Sequence, residues 1–324
     1  MDTVYAALGD RVLVGDGNSG WDDCLRGHDI ECVAAEAAEP ERAFVGPSDA
    51  GLQRTTDGGA TWETVLDAGD RVTSVTVSPR DADVVWAGTE PSAVYRSADG
   101  GETWTEKPGL TELDSAARWS FPPRPDTHHV RWLALAPDDP EQVYAAIEAG
   151  AFVRSPDGGE TWVDHPDGAR RDNHTLATHP DAPDRVYTAA GDGFALSTDR
   201  GAAWTHPQEG LAHRYVWGLA VHPDDPDCAI VSAASGPRSA HSTHGESYVY
   251  RWNGDRWTQS MDGLPGPEGL ARPILSAAPT DGFLALTNHG LFQSKHGETW
   301  VKQNLVGGDW TAEYDQVPSG LAIV

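Results

Sequence analysis

The 324-residue sequence predicts an all-β fold: a seven-bladed β-propeller whose ring is closed by the C-terminal strand joining the N-terminal blade. Three observations predict it. Tryptophan recurs at a near-constant interval: Trp21, Trp62, Trp104, Trp162, Trp204, Trp257 and Trp300 are separated by 41, 42, 58, 42, 53 and 43 residues. A repeat of about 42 residues suits one four-stranded blade. Between these tryptophans, short runs alternate apolar and polar residues and are bounded by Gly, Pro and Asp, which is the strand pattern; no segment has a helical period. Finally, residues 3–14 supply only a second and a third strand, while Gly320-Leu321-Ala322-Ile323-Val324 has the pattern of a first strand with no unit of its own. Pairing the two ends removes exposed sheet edges. A six-bladed ring is the alternative count.

Within a unit the elements follow in order. Leu133-Ala134-Leu135-Ala136 is an inner strand ended by the turn at Pro137, Val143-Tyr144-Ala145-Ala146 is the second strand, and Ala151-Phe152-Val153-Arg154 is the third. A fourth starts at the tryptophan. The turn before it repeats as Ser/Thr-x-Asp-x-Gly-x-x-Trp. Intact copies are Thr55/Asp57/Gly59/Trp62, Ser97/Asp99/Gly101/Trp104, Ser155/Asp157/Gly159/Trp162 and Ser197/Asp199/Gly201/Trp204. A shortened copy runs from Ser294 to Trp300, and eroded ones from Gly254 to Trp257 and Asp16 to Trp21. Ser, Thr and Asp side chains bond nearby backbone and hold a tight turn. Glycine takes the positive-φ position, and the tryptophan covers apolar surface beside it. Asp57, Trp62, Asp99, Trp104, Asp157, Trp162, Asp199 and Trp204 therefore read as architecture, not chemistry.

These four copies resemble the Asp-box, or bacterial neuraminidase repeat. That family of propellers includes sialidases, sortilin-type receptors, xyloglucan-cleaving hydrolases and a photosystem assembly factor. Ala87-Gly88-Thr89-Glu90-Pro91 and the stretch from Pro122 to His129 resemble bacterial and archaeal propellers labelled glycosyl hydrolase or sialidase-like. The resemblance implies the fold over nearly the whole chain. It leaves the activity open, since one fold hosts unrelated sites. A sialidase would need an arginine cluster, an acid/base and a tyrosine nucleophile, a role for which Tyr215 is the candidate. The N-terminal Arg-Ile-Pro segment of true sialidases has no counterpart here.

The repeats argue for a single domain spanning 1–324. Two intervals are long because of insertions at about 108–128 and 235–247. Both connection types are expected on one face, where long loops on a rigid scaffold carry function. With 50 acidic against 23 basic residues the formal net charge is −27. Nucleic acid and anionic membrane are thereby excluded as expected partners, since both need a basic surface. An acidic surface of this kind suits solubility in high salt, and a halophilic source is expected. Cys24, Cys32 and Cys228 make no disulfide framework. The N-terminus shows no basic region followed by an apolar run, and no stretch reaches membrane-spanning length, so a soluble, cytoplasmic monomer is expected.

Inner-strand entrances should surround the central funnel. Aligned on the proline turns, they carry Asp29 and Glu31, Arg71, His129 and Arg131, Asp172 and His174, Tyr215 and Trp217, and Arg272. Loops between second and third strands add Asp49, Glu90, Glu148, Asp192 and His289. Three constellations follow. Carboxylates facing each other, with Glu90, Asp172 and Glu31 leading, could act as acid and base in glycoside cleavage, with Trp119, Tyr215 and Trp217 stacking on a sugar. His128, His129, His174, His213 and His289 with acidic neighbours could hold a divalent metal, although no cofactor is required. Arg71, Arg124, Arg131, Arg238 and Arg272 could recognise an anion. The expected function is binding, with or without hydrolysis, of a small polar or sugar-like ligand in the funnel. The alternative is a non-catalytic scaffold or assembly factor that binds a protein on its loop face.

Overall fold

The computed structural model describes residues 3–15, 20–278, 282–303 and 316–324; residues 16–19 of the eroded first turn lie outside these. Seven antiparallel sheets form the ring. The first blade runs Gly320–Ile323, Val4–Leu8, Arg11–Gly15, Trp21–Cys24 from inside to outside. The last strand pairs with the first in the register Val4↔Ile323 to Ala7↔Gly320, so the ends of the chain lock the ring. The remaining blades begin with the inner strands Ile30–Ala35, Arg71–Val77, Val130–Leu135, Asn173–Ala177, Tyr215–His222 and Ile274–Ala278. In the fourth and fifth blades the outer strand is reduced to the single bridges Arg154↔Val163 and Leu196↔Thr205.

Among the described residues helix is almost absent, and what there is sits in the insertions. Pro237–Ala240 forms one short helix, and Leu110–Glu112 and Ala116–Arg118 form 3-10 turns. Among the described residues no helix is long and apolar enough to cross a membrane. All three cysteines are free; Cys32 and Cys228 are buried and Cys24 is partly covered.

The core lies between neighbouring blades. Ala134, Tyr144 and Phe152 of the fourth blade pack with Leu176 and Val186 of the fifth. Each fully buried large side chain contributes roughly 1.5–3 kcal/mol. The repeated turns fasten blade to blade. The Ser97 hydroxyl donates to Asp99 Oδ1 at 2.7 Å and accepts the Gly101 N–H at 2.9 Å. Asp99 in turn accepts the Thr103 N–H and hydroxyl, at 2.9 and 2.6 Å. The same bonds recur at Thr55/Asp57 and Ser155/Asp157, and in part at Ser197/Asp199. Trp62, Trp104 and Trp204 close the turn by donating from Nε1 to the glycine carbonyl three residues back. Trp162 instead reaches Pro108 O of the neighbouring blade. Gly101 has φ 89°, and a Cβ there would meet Phe44 of the preceding blade at 2.7 Å. The turn thus docks on its neighbour only because the residue is glycine.

Five consecutive inner strands, in the second to sixth blades, share one irregularity. Each has a register shift near the same end, between Ile30/Cys32, Val72/Ser74, Val130/Trp132, Asn173/Thr175 and Val216/Leu219. A β-bulge inserts an extra residue that leaves the ladder and re-aims its side chain. The extra residues are Glu31, Thr73, Arg131 and His174, and in the sixth blade the Trp217-Gly218 pair faces one partner. The bulges also stitch the blades together. Val130 O accepts hydrogen bonds from the Thr73 and Ser74 hydroxyls, Val216 O accepts one from His174 Nδ1, and Trp217 O accepts one from Thr175.

Candidate ligand funnel

A cavity of about 1120 Å³ opens at the bulged end of the inner strands. Glu31, Arg71, His129, Arg131, Asp172, Tyr215, Trp217 and Arg272, all expected at strand entrances, line it. Both insertions contribute as well: Phe121 to Arg124 from one, and Pro237, Arg238 and His241 from the other. A second cavity of about 320 Å³ continues along the axis and shares Glu31, Arg131, Trp217 and Ser319 with the first, so these residues form a waist.

Some expected residues stand elsewhere. Trp119, expected to stack on a ligand, is instead core: it is buried among Leu110, Val130 and Ile147 and donates to Ser115 Oγ. Glu90 lies behind Arg71 and Arg124. His174 is buried beneath Tyr215 and Trp217, with ring centroids at 5.0 and 4.3 Å. His289 is not in the wall; its Nε2 is 3.3 Å from Gly269 O. His213 stacks on Tyr248, and His128 meets Trp119 edge-on. The expected histidine cluster therefore does not converge. His179 and His222 bond carbonyls of the next blade, His222 O and Lys295 O.

Three of the carboxylates are neutralised. Arg71 donates to Glu31. Arg124 holds Glu90 with two bonds, Nε to Oε1 at 2.6 Å and Nη2 to Oε2 at 2.5 Å, and Arg71 Nε lies 3.8 Å from the same carboxylate. Burial acts to raise Glu90, but the Arg124 hydrogen bonds prevail and hold its carboxyl below the usual range. Glu148 lies 3.1 Å from His129 Nε2 and 3.6 Å from Arg131 Nε. Its burial is also outweighed, first by the His129 bond and then by His174 and Arg131, and its pKa falls to about 2. Asp172 is different: it accepts the Ala149 N–H at 3.0 Å and sits 3.6 Å from His174 Nε2.

Burial drives the Tyr215 phenol upward, with Glu148 and Asp172 adding to the effect. A tyrosine nucleophile needs the opposite shift. Tyr215 keeps its proton, and its hydroxyl pairs with His241 Nε2 at 3.0 Å. His241 is pushed down to about 3, by burial first and by Arg272 second, so it is neutral. Two guanidiniums lie against one indole: Arg272 at 4.4 Å and Arg131 at 4.8 Å from the Trp217 ring.

The ligand atoms of Glu148, Asp172 and His174 lie within 4.8 Å of one another, a spacing that could hold a divalent ion. His174 suits this, because Nδ1 bonds Val216 O and leaves Nε2 facing Asp172. Arg131 and His129 already engage Glu148 and would oppose a cation.

With this geometry in view, known proteins can be compared. No protein-family profile matches the chain, and no curated protein matches it in sequence. Solved structures do match in fold. The GH74 enzyme of Niastella koreensis aligns with TM-score 0.71 at 17% identity, covering 92% of this chain and 52% of that one. The GH74 xyloglucanase of Xanthomonas campestris gives 0.67 at 16%, covering 99% and 52%. YCF48 bound to D1 peptide gives 0.58 at 19%, covering 85% and 81%. The chain thus spans about half the length of the GH74 enzymes. At these identities the likeness is one of fold.

Proposed function

We propose that this propeller is a binding protein that holds a small polar ligand in its funnel without hydrolysing it. One observation carries the reading: Glu31, Glu90 and Glu148 are each engaged by Arg or His. Glycoside cleavage needs a carboxyl that keeps its proton near neutral pH, which means a raised pKa. The carboxyls in or just behind the funnel wall whose pKa is displaced, Asp10, Glu90 and Glu148, all move the other way. Asp172 then serves as a hydrogen-bond acceptor for ligand hydroxyls or a cationic group, and Trp217 and Tyr215 form the aromatic wall. The fold likeness does not choose between hydrolase and binder, because it joins GH74 enzymes and a peptide-bound YCF48 alike.

Related proposals complete the reading. The Ser/Thr-x-Asp-x-Gly-x-x-Trp turns are Asp-boxes in an architectural role, and residues 1–324 are one propeller domain with both insertions on the funnel face. The charge of −27 is an adaptation to high salt; thermal melts should then rise between about 0.1 and about 3 M KCl, as screening relieves carboxylate repulsion.

The test is turnover against binding. The chain is incubated with xyloglucan and a panel of aryl glycosides, with reducing ends assayed, while calorimetry measures binding of the same sugars and of small acids. Binding without turnover is the expected result. Turnover that is lost in both Glu90→Gln and Asp172→Asn would overturn it. The scaffold reading is favoured by Phe121-Pro122-Pro123 at the mouth; it predicts loss of a protein partner when 235–247 is trimmed, with small-molecule binding absent.

A further inference from the structure

We infer that the funnel wall beside the waist is an oxyanion subsite: Arg272 and Arg131, stacked on Trp217, receive the carboxylate or phosphate group of a small organic ligand. This deepens the binding reading and rests on it. Arg71 and Arg124 are committed to Glu31 and Glu90, and Arg131 lies beside Glu148. Arg272 is buried, at 8% exposure. Its Nη1 donates to Pro318 O at 3.0 Å. Its Nε is buried without a partner, and among the described residues it forms no ion pair.

A buried charge left uncompensated is costly, and a buried donor without an acceptor is costly in addition. The fold nonetheless fixes the backbone that carries this guanidinium. The Arg272 backbone N–H donates to Ala240 O of the insertion helix at 2.8 Å, and the Ala271 N–H donates to Asn288 Oδ1 at 3.0 Å. Trp217 offers its ring to both guanidiniums; a cation–π contact eases the burial of an arginine but supplies no hydrogen-bond acceptor. A bound oxyanion would do both, and arginine's planar fork suits carboxylate and phosphate geometry.

The surroundings narrow the ligand. Tyr215 and His241 stand beside the Trp217 ring, with His241 edge-on at 4.4 Å, so a flat or apolar body attached to the anion is accommodated. Arg238, exposed on the rim, adds attraction at the mouth. An inorganic cation is disfavoured there for the same reason that an anion is favoured.

The test compares wild type with Arg272→Met and Arg272→Lys in thermal melts and calorimetry, at ionic strength matched with sodium chloride. The probes are benzoate and inorganic phosphate. Wild type should be stabilised by at least one probe beyond chloride, benzoate alone marking a carboxylate ligand and phosphate alone a phosphorylated one. Arg272→Met should weaken that probe about tenfold or more. Arg272→Lys, which keeps the charge but not the fork, should also weaken it, and it decides the matter if the Met variant does not fold. No response in wild type, or an undiminished response in the variants, overturns the subsite. The two readings fail separately: glycoside turnover would sink the first and leave the anion response intact, while a missing anion response would sink only the second.

Discussion

Arg124 and Glu90 are 34 residues apart in sequence and meet through two parallel hydrogen bonds of 2.6 and 2.5 Å. The pair joins a long insertion to the end of the strand Val85–Glu90 of the third blade at the mouth of the funnel. It does two things together: it anchors the insertion and it holds the Glu90 carboxyl below the usual range.

The anchoring should be measurable. Hydrogen bonds to charged groups contribute about 1.5–3 kcal/mol, and the exposed side of Arg124 places this pair toward the lower end. Arg124→Ala should lower stability by about 1–2 kcal/mol and speed proteolysis within 108–128. In a double-mutant cycle, adding Glu90→Gln to Arg124→Ala should cost less than Glu90→Gln does alone. Additive losses in urea melts would mean that the two residues act independently.

Glu148 makes a prediction about acid. Its folded pKa of about 2 lies below the ordinary value of 4.5. As pH falls, the unfolded chain takes up this proton first, so the stabilisation is complete above about pH 4.5 and fades towards pH 2. Glu148→Gln leaves His129 and Arg131 facing no charge and should cost about 3 kcal/mol at pH 7. Between pH 5 and 3 the variant's urea midpoint should fall less steeply than that of wild type. Parallel slopes would show that the carboxylate is not held low.

Ser97 tests the repeated turn. Its hydroxyl is buried and accepts the Gly101 N–H, so Ser97→Ala leaves a buried donor unmatched and should cost about 1–3 kcal/mol. Ser97→Thr should be nearly neutral, since Thr55 fills the same role in the second blade. Equal melting temperatures for Ser97→Ala and wild type would remove the hydroxyl from the account.

How far the sequence could be read follows from what is local. The turns, the blade length and the closing strand rest on short-range patterns, so seven blades were legible from tryptophan spacing. Arg131 and Trp217 were legible as funnel residues because each stands six residues before the proline that ends its inner strand, Pro137 and Pro223. What turned them inward was not legible: a bulge is an extra residue in a ladder, and alternation alone does not show where the register slips. Contacts made by the insertions were also hidden, because no repeat governs them. Trp119 looked like a free aromatic but fills a core gap, and the pairing of Glu90 with Arg124 was hidden because Arg124 lies in irregular chain. His241 sat in a noted insertion, yet its contact with Tyr215 needed the turn made by Pro237–Ala240.

Ring closure gives the last prediction. The strand Gly320–Ile323 pairs along Val4–Leu8 and also contacts the inner strand of the second blade. Gly320 sits so close to Val33 that a Cβ would lie 2.6 Å from its Cγ1. Removing 320–324 would expose the edge of Val4–Leu8 and part of the apolar cluster of Val4, Ala6 and Leu286, and an open edge of this kind recruits other strands. The truncated chain should elute as oligomers in size-exclusion chromatography and melt well below wild type. Gly320→Val should show a milder form of the same defect, because the strand remains but must back away from Val33. A separate peptide of residues 316–324, added in trans, should restore the wild-type elution by filling the vacant place. A truncated chain that elutes as wild type does, with an unchanged melting temperature, would show that the closing strand is not needed to hold the ring.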